Sequence, residues 1–285
     1  MKPTSNKGSS GLSAFAKVWR LLTNLKMQLT NCGQKQPKKV GIYGGKFDPP
    51  HVGHLMCAEM TREAFGLDKV LFVTSAVPPH KSTGVSDARV RHEMVEAAVF
   101  RNCFFEACDI ELKRAGPSYT LDTVRALSAQ YGPETQLYLM LSSEYLEPTH
   151  PWHLSKWHDS AELFSLAHFL IFARPGHSTE QIEEWAKLIP QARIECLHFC
   201  PSPPVSSTMI RERIARGQSV WYMILPEVWQ LIRKRGLYFT SAQSSAGDTA
   251  GSASAVVTPR RCTPCQKYGN LVVRLLRGLR NRFSL

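Results

Sequence analysis

The sequence has no run of about 18 consecutive apolar residues, which is the length that a membrane-spanning helix requires. It also lacks the charged start, apolar core and small-residue cleavage site of a signal peptide, so we expect a chain that is not secreted. Its eight cysteines are therefore expected to be free thiols in a reducing compartment. The short cysteine clusters at 196–200 and 262–265 have no partner at zinc-finger spacing, and we predict no metal site made of protein ligands.

Acidic residues are nearly absent from both ends of the 285-residue chain. Residues 1–39 contain eight Lys and Arg and no acid, and residues 240–285 contain seven Lys and Arg with Asp248 as the single acid. Of the 35 basic and 23 acidic residues, residues 40–239 therefore hold 20 and 22. The net charge of +12 belongs to the ends, and the nearly neutral central region predicts no nucleic-acid partner.

Composition divides the chain into three parts, with boundaries near 39 and 240. The basic, Ser-rich residues 1–39 are similar to an organelle transit peptide, although a disordered extension explains the composition equally well. We expect a cytoplasmic protein, with a plastid or mitochondrion as the alternative if this segment is cleaved. Residues 240–285 begin as a flexible linker and end in a short basic amphipathic helix, NLVVRLLRGLRNRF, which predicts weak contact with a membrane surface.

Strand and helix patterns alternate through residues 40–239. Apolar runs predict strands at 40–43, 69–74, 104–107, 136–141, 168–173 and 193–199. Helical periodicity and end signals predict helices at 54–65, 89–100, 120–131, 163–167, 182–188, 207–216 and 226–235. This order is typical of an α/β domain with a Rossmann-like, doubly wound parallel sheet and helices on both faces. Ligands bind beyond the carboxyl ends of the strands in such sheets, so we expect the functional residues there.

The loop after the first strand, GGKFDPPHVGH at 44–54, contains the clearest functional pattern. Two glycines directly after a strand let a ligand approach the backbone closely. His51 and His54 lie at the start of the next helix, where free N–H groups and the helix dipole attract phosphate. Two imidazoles three residues apart at that position are expected to face one anion together. The loop therefore predicts a phosphate site.

The segment GIYGGKFDPPHVGHL (41–55) resembles the signature of the bacterial-type nicotinate mononucleotide adenylyltransferases, a family of the HxGH nucleotidyltransferase superfamily. The resemblance extends over residues 40–238. It implies that His51 and His54 are catalytic and stabilise the charge of the transferring phosphates. It assigns ATP binding to the glycine loop and both histidines, that is, to Gly44, Gly45, Lys46, His51 and His54.

Three further motifs support the resemblance. VPPHK (77–81) is similar to the family's PPHK loop, and GPSYT (116–120) is similar to its PSYT segment, which borders the pyridine ring and ribose. SSTMIR (206–211) is similar to the closing SxTxIR motif, which contacts the ATP phosphates. The resemblance therefore assigns ATP binding to Ser207, Thr208 and Arg211, with Arg211 also catalytic.

The chain departs from the family pattern at three places. Lys46 replaces the usual Thr or Ser after the glycine pair, where its charge either adds to the phosphate site or fills it. SSE (142–144) stands where the family has Gly-x-Asp, which adds bulk and moves the carboxylate out by about one methylene. Pro-Trp (151–152) replaces Thr-Trp, and Trp157 is the alternative ring contact. The residues assigned to the mononucleotide are Phe47, Lys81, Tyr119, Thr120, Glu144 and Trp152. Thr120 also suits the N-cap of the helix that follows.

The resemblance implies adenylyl transfer from ATP to nicotinate mononucleotide, which gives deamido-NAD and pyrophosphate. The nucleophile is a phosphate anion, so catalysis requires positioning and charge neutralisation rather than a Ser or Cys nucleophile. Mg²⁺ is expected with ATP, bound largely by substrate and water. Nicotinamide mononucleotide stays open as a second acceptor, because the altered 151–152 segment lies in the loop expected to contact the carboxylate.

Three other functions stay open. A degenerate nucleotide-binding or regulatory protein of the same fold is favoured by Lys46 and by the SSE segment. An HxGH transferase with another phosphorylated acceptor is disfavoured by the PSYT segment. The basic ends can act as a tether, but they do not explain the motifs between them.

Overall fold

Six parallel strands form one sheet in the order β3-β2-β1-β4-β5-β6. The computed structural model describes residues 36–76, 85–114, 116–174, 176–197 and 203–240. The strands are β1 (Lys39–Gly45), β2 (Lys69–Thr74), β3 (Phe105–Cys108), β4 (Gln136–Ser142), β5 (His168–Phe172) and β6 (Arg193–Leu197). The helices are α1 (Val52–Phe65), α2 (Ala88–Val99), α3 (Thr120–Tyr131), α4 (Ser160–Leu166), α5 (Thr179–Lys187), α6 (Ser207–Ala215) and α7 (Pro226–Arg235). Every strand and helix predicted within residues 40–239 is confirmed, although several ends shift.

Alternate side chains of the central strand β1 pack on opposite faces of the sheet. Val40 and Ile42 belong to a buried cluster that includes α3, α4 and α5. Tyr43 belongs to a second cluster that includes α1 and α2. Helices α6 and α7 pack on the outer side of α2 in a third cluster. The predicted Rossmann-like, doubly wound sheet with helices on both faces is therefore confirmed.

Local capping explains why two helices begin earlier than predicted. His51 has an extended backbone (φ −140°, ψ 170°) and is the N-cap of α1, so the helix begins at Val52. Ser178 Oγ accepts the backbone N–H of Gln181 at 3.3 Å, so α5 begins at Thr179. None of the helices in the described ranges combines the length and apolar character of a transmembrane segment.

Lys38, the residue before β1, is hydrogen-bonded to the rest of the domain. The backbone N–H of Lys38 donates to the Asp68 carboxylate at 2.8 Å, and the Lys38 carbonyl accepts the N–H of Gln136 at 2.7 Å. The remainder of the predicted extension, residues 1–35, lies outside the described residues, as does the predicted amphipathic tail after 240.

Candidate active site

The strand order reverses between β1 and β4, which are neighbours in the sheet although five elements separate them along the chain. Such a reversal opens a crevice at the carboxyl ends of the two strands. A Cβ atom at Gly44 would meet nothing within 4 Å, whereas one at Gly45 would lie 3.0 Å from the Phe47 ring. Gly45 therefore makes room for a neighbouring side chain, and Gly44 leaves its backbone open to a ligand.

His51 and His54 lie side by side at the start of α1. The backbone N–H of His51 donates to His54 Nδ1 at 3.2 Å, and the two rings are stacked with centroids 3.7 Å apart. A Cβ atom at Gly53 would lie 3.0 Å from His51 Nδ1, so the glycine of the motif makes room for this ring. The structure thus brings the two imidazoles together, as the spacing predicted.

Both imidazoles are neutral at pH 7. Burial lowers the pKa of His51 to about 4. Burial lowers the pKa of His54 well below its ordinary value, and the neighbouring His51 and Arg174 lower it further. Because His54 Nδ1 accepts a backbone N–H, the neutral ring has its proton on Nε2. His54 is therefore a hydrogen-bond donor without positive charge.

Phe47 lies against His54. Its side chain is only 2% exposed, and its ring meets the His54 ring edge to face at 5.1 Å. Its backbone has φ 50°, which is uncommon for an aromatic residue. The ring therefore lies in the core, where it supports the imidazole. Its predicted contact with the mononucleotide stays a prediction.

Residues near the end of the described chain bind the segment between β1 and α1. Arg211 Nη1 donates to the carbonyl of Asp48 at 2.8 Å, and Ser207 Oγ donates to the carbonyl of Pro49 at 2.8 Å. The Tyr238 hydroxyl donates to the Asp48 carboxylate, and burial together with this hydrogen bond raises the pKa of Tyr238. The start of α6 is consequently adjacent to the histidine loop, as a shared phosphate site requires.

Two predicted ATP-binding residues have exposed side chains. Lys46 follows the glycine pair, and Thr208 lies in the first turn of α6, where its hydroxyl accepts from Arg211 Nη2 at 3.3 Å. The structure therefore places a lysine charge after β1 and an arginine charge in α6. The two segments are connected through the Arg211 contact with the Asp48 carbonyl.

Arg91 in α2 organises the loops of the crevice, and the sequence analysis did not identify it. The residue is 1% exposed, and its guanidinium donates to the carbonyls of Lys46 and Ser75 at 2.7 Å and of Ser86 at 3.0 Å. Burial lowers its pKa. This one side chain binds the loop after β1 to the loop after β2. A single arginine in a helical pattern usually indicates a solvent-exposed position, so the role of Arg91 becomes visible only in the folded structure.

The segment before α3 contains Tyr119 and Thr120. Tyr119 has an extended backbone and is the N-cap, while Thr120 is the first helical residue, so the expectation that Thr120 caps the helix is wrong. The half-exposed Tyr119 ring lies 4.5 Å from the ring of His158, centroid to centroid. Lys81, the third predicted residue on this side, lies outside the described residues.

Trp152 and Trp157 differ in their exposure. Trp157 Nε1 donates to the carbonyl of Trp152 at 3.0 Å, and its ring meets Tyr145 edge to face at 5.4 Å. The Trp152 side chain is 46% exposed and is the more available of the two for ring contact. These contacts favour Trp152 over Trp157.

Glu144 lies two residues after the end of β4, where it accepts one hydrogen bond and forms one ion pair. Ser142 Oγ donates to one carboxylate oxygen at 2.9 Å, and Arg174 Nη1 lies 2.6 Å from the other. Arg174 follows β5 and is the second residue that the sequence analysis missed. In the part of the chain that the structure describes, no three His, Cys, Asp or Glu side chains form a group that could hold a metal ion.

We expect the free energy of unfolding to fall as the pH is lowered from about 6.5 to about 4. In this window the unfolded chain protonates His51 and His54, whereas the folded chain keeps them neutral, so acid favours unfolding. His51→Asn should reduce the slope by up to about 1.4 kcal/mol per pH unit. Urea unfolding at several pH values across the window measures this slope. The control is His158→Asn, which replaces an exposed histidine. An unchanged slope in His51→Asn would contradict the lowered pKa.

Comparison with known proteins agrees with this geometry. Residues 42–213 match the family model described as cytidylyltransferase-like. Over 204 residues the chain is 40% identical to the nicotinate-nucleotide adenylyltransferase of Shouchella clausii, a match that covers 70% of this chain and 97% of that protein. The corresponding protein of Exiguobacterium sibiricum is 40% identical over 203 residues, with 71% and 100% covered.

A solved structure has the same fold. Nicotinic acid mononucleotide adenylyltransferase of Plasmodium falciparum, complexed with NaAD, superimposes with a TM-score of 0.57 at 20% identity, covering 70% of this chain and 97% of that one. At this identity the likeness concerns the fold alone. The sequence identity to the bacterial proteins extends over nearly their whole length. The chain therefore belongs to the nicotinate-nucleotide adenylyltransferase family.

Proposed function

We infer that the protein transfers the adenylyl group of ATP to nicotinate mononucleotide, which forms deamido-NAD and pyrophosphate in NAD biosynthesis. The bacterial relatives are named for this activity. The observation in this chain that supports it best is the pair of His51 and His54 at the start of α1, beside the crevice between β1 and β4. A phosphate bound there meets a helix N-terminus and an imidazole N–H.

The reaction joins a phosphate oxygen of the mononucleotide to the α-phosphorus of ATP. The bond from that phosphorus to the oxygen that bridges it to the β-phosphate breaks, and pyrophosphate leaves. We assign to His54 Nε2–H the hydrogen bond to a phosphate oxygen on which negative charge grows. The ring orientation is set in advance by the His51 N–H, so little reorganisation is needed during the reaction.

The proposed ATP site extends from the glycine loop to α6. Gly44 leaves the backbone accessible, and Lys46 and Arg211 supply positive charge. Arg211 has one nitrogen on the Asp48 carbonyl, so its guanidinium plane is oriented before ATP binds. Ser207 acts through the Pro49 carbonyl, which it binds.

Nucleotidyltransferases of this class use a divalent metal ion with ATP, and we propose Mg²⁺. We propose that this ion arrives bound to the phosphates of ATP and keeps several of its water ligands. When bound, it neutralises phosphate charge. The residues of this chain provide orientation and hydrogen bonds.

The mononucleotide is proposed to bind between Tyr119, Thr120, Trp152 and Glu144. Tyr119 and Trp152 offer partly exposed rings for the pyridine.

To test the activity, we would measure pyrophosphate release with ATP·Mg²⁺ and each of three acceptors. We expect turnover with nicotinate mononucleotide, less with nicotinamide mononucleotide and none with phosphopantetheine. Turnover with phosphopantetheine alone would contradict the assignment.

His54→Ala should lower kcat by roughly 10²–10³, because it removes a donor that is oriented toward developing charge. The matched variant His54→Gln keeps an N–H donor on a side chain of similar length and should lose less. Pyrophosphate release under saturating substrates measures both, and circular dichroism checks the fold. A folded His54→Ala protein with the wild-type rate would exclude the histidine from catalysis.

A second function, nucleotide binding without transfer, is favoured by Lys46. This lysine occupies the position where the family that the chain resembles usually has Thr or Ser. If Lys46 binds the triphosphate, Lys46→Thr should raise the KM for ATP, and the difference from wild type should shrink at high salt because an exposed charge pair is screened. If the lysine blocks the site, the same substitution should raise kcat/KM. Kinetics of both proteins at two salt concentrations decide between these outcomes.

A further inference from the structure

Asp48, in the segment between β1 and α1, has a buried carboxylate. The residue is 3% exposed, and both carboxylate oxygens accept hydrogen bonds. The Tyr238 hydroxyl donates to Oδ1, and the backbone N–H of Ser86 donates to Oδ2 at 3.2 Å. A carboxylate removed from water depends on such donors, because a missing hydrogen bond leaves its negative charge without a partner. If one donor is lost, the carboxylate is therefore expected to bind another donor nearby.

Tyr238 is placed by the fold as a donor to Asp48. It lies two residues after Gly236, the C-cap of α7, and has φ 67°, which is uncommon for an aromatic residue. Its hydroxyl also accepts a hydrogen bond from Ser86 Oγ at 3.4 Å, which directs its own proton to Asp48. Burial and the hydrogen bond with Asp48 raise the pKa of Tyr238. The phenol therefore keeps its proton throughout the neutral pH range.

Two arginines lie close to Asp48. The negative charge of Asp48 opposes the lowering of the Arg91 pKa by burial, but all three nitrogens of that guanidinium already donate to main-chain carbonyls. Arg211 has Nη1 on the Asp48 carbonyl at 2.8 Å and Nη2 3.3 Å from the Thr208 hydroxyl. A guanidinium has five N–H groups, and these two contacts occupy two of them. Arg211 is therefore the arginine that can bind a further anion.

The Asp48 carboxylate and a phosphate of ATP compete for the same guanidinium. Carboxylates and phosphates both bind arginine through charge-assisted hydrogen bonds, which are stronger than a bond to a neutral carbonyl. The carboxylate belongs to the residue whose carbonyl Arg211 already binds. The charge of Arg211 also acts on the Tyr238 hydroxyl, where it opposes the increase in pKa, so the phenol lies near the guanidinium. An ion pair of Arg211 with Asp48 would occupy the N–H groups that the phosphate needs.

We propose that Tyr238 is a positioning residue for the ATP site: its hydroxyl binds the Asp48 carboxylate and thereby leaves the N–H groups of Arg211 available to the phosphates. This inference rests on the proposed function, which assigns Arg211 to ATP. Tyr238 acts through Asp48 and Arg211 and does not itself contact the substrate. The residues proposed for the mononucleotide take no part in these contacts, so the effect should fall on ATP rather than on the acceptor.

The test is a double-mutant cycle on the full chain, with pyrophosphate release as the assay. Tyr238→Phe keeps the ring and removes the hydroxyl. It should raise the KM for ATP about three- to tenfold, the value of one hydrogen bond, with kcat and the KM for nicotinate mononucleotide nearly unchanged. Asp48→Asn replaces the competing charge with a neutral amide. In that background, adding Tyr238→Phe should raise the KM for ATP by less than about twofold.

The matched control is Tyr138→Phe, which removes a hydroxyl bound to Gln136 at the other end of the sheet, where β4 begins. It should leave both KM values unchanged. In Tyr238→Phe, an unchanged KM for ATP, or an equal increase of both KM values, would overturn the inference. An increase of the same size in the Asp48→Asn background would overturn it as well, because the hydroxyl would then not act through the charge of Asp48.

Further measurements cover variants that do not fold. Without a folded Asp48→Asn protein, the difference between the two KM values in Tyr238→Phe decides. Without a folded Tyr238→Phe protein, Ser86→Ala removes the hydroxyl that orients the phenol and should raise the KM for ATP selectively, by a smaller factor.

The proposed function can fail separately from this inference. A wild-type chain that releases no pyrophosphate with nicotinate mononucleotide would contradict the proposed function. Calorimetric titration of wild type and Tyr238→Phe with ATP·Mg²⁺ alone would then still test the positioning role. The dissociation constant should be about three- to tenfold higher in the variant, and equal constants would overturn the inference.

Discussion

The backbone of the segment between β1 and α1 must stay in one conformation for the site to exist. Arg91 binds the carbonyl of Lys46, Arg211 binds that of Asp48, and Ser207 binds that of Pro49. These side chains come from α2 and α6, which follow the segment in sequence. Because they bind carbonyls rather than side chains, the constraint acts on the course of the chain itself. The positions of both histidines follow from that course.

Burial of the histidine pair has a chemical consequence. It keeps the rings neutral, so in the proposed phosphate site they donate hydrogen bonds but bring no charge. Positive charge must come from other groups, and the structure provides it through Lys46, Arg211 and the start of α1. In this crevice the imidazole hydrogen-bond donors and the positive charges therefore belong to different groups.

Local sequence patterns predicted most of the fold and the centre of the site. Strand and helix periods are local properties, and the spacing of the HxGH motif places both imidazoles at one helix start. The missed contacts are long-range: Arg91 is 45 residues from Lys46, and Tyr238 is 190 residues from Asp48. No local pattern encodes such pairs.

Other features could not be predicted from the sequence, because they depend on burial and backbone conformation. The inward position of Phe47 and the low pKa values of the histidines result from packing around the finished sheet. The start of α3 was predicted correctly, but its cap was assigned one residue too late, because the extended backbone of Tyr119 determines it.

The hydrogen bond between Tyr238 and Asp48 can form only after α7 has been synthesised. A ribosome makes β1 and the histidine loop first, but the last partner of that loop is made only after α7. A growing chain can form much of the sheet before then, since domains begin to fold as they emerge. Its nucleotide crevice, however, is completed only with the final residues of the domain. Translation products that stop before α7 would keep the contacts of Arg91, Arg211 and Ser207 with this loop, but they would lack the hydrogen bond from Tyr238 to Asp48.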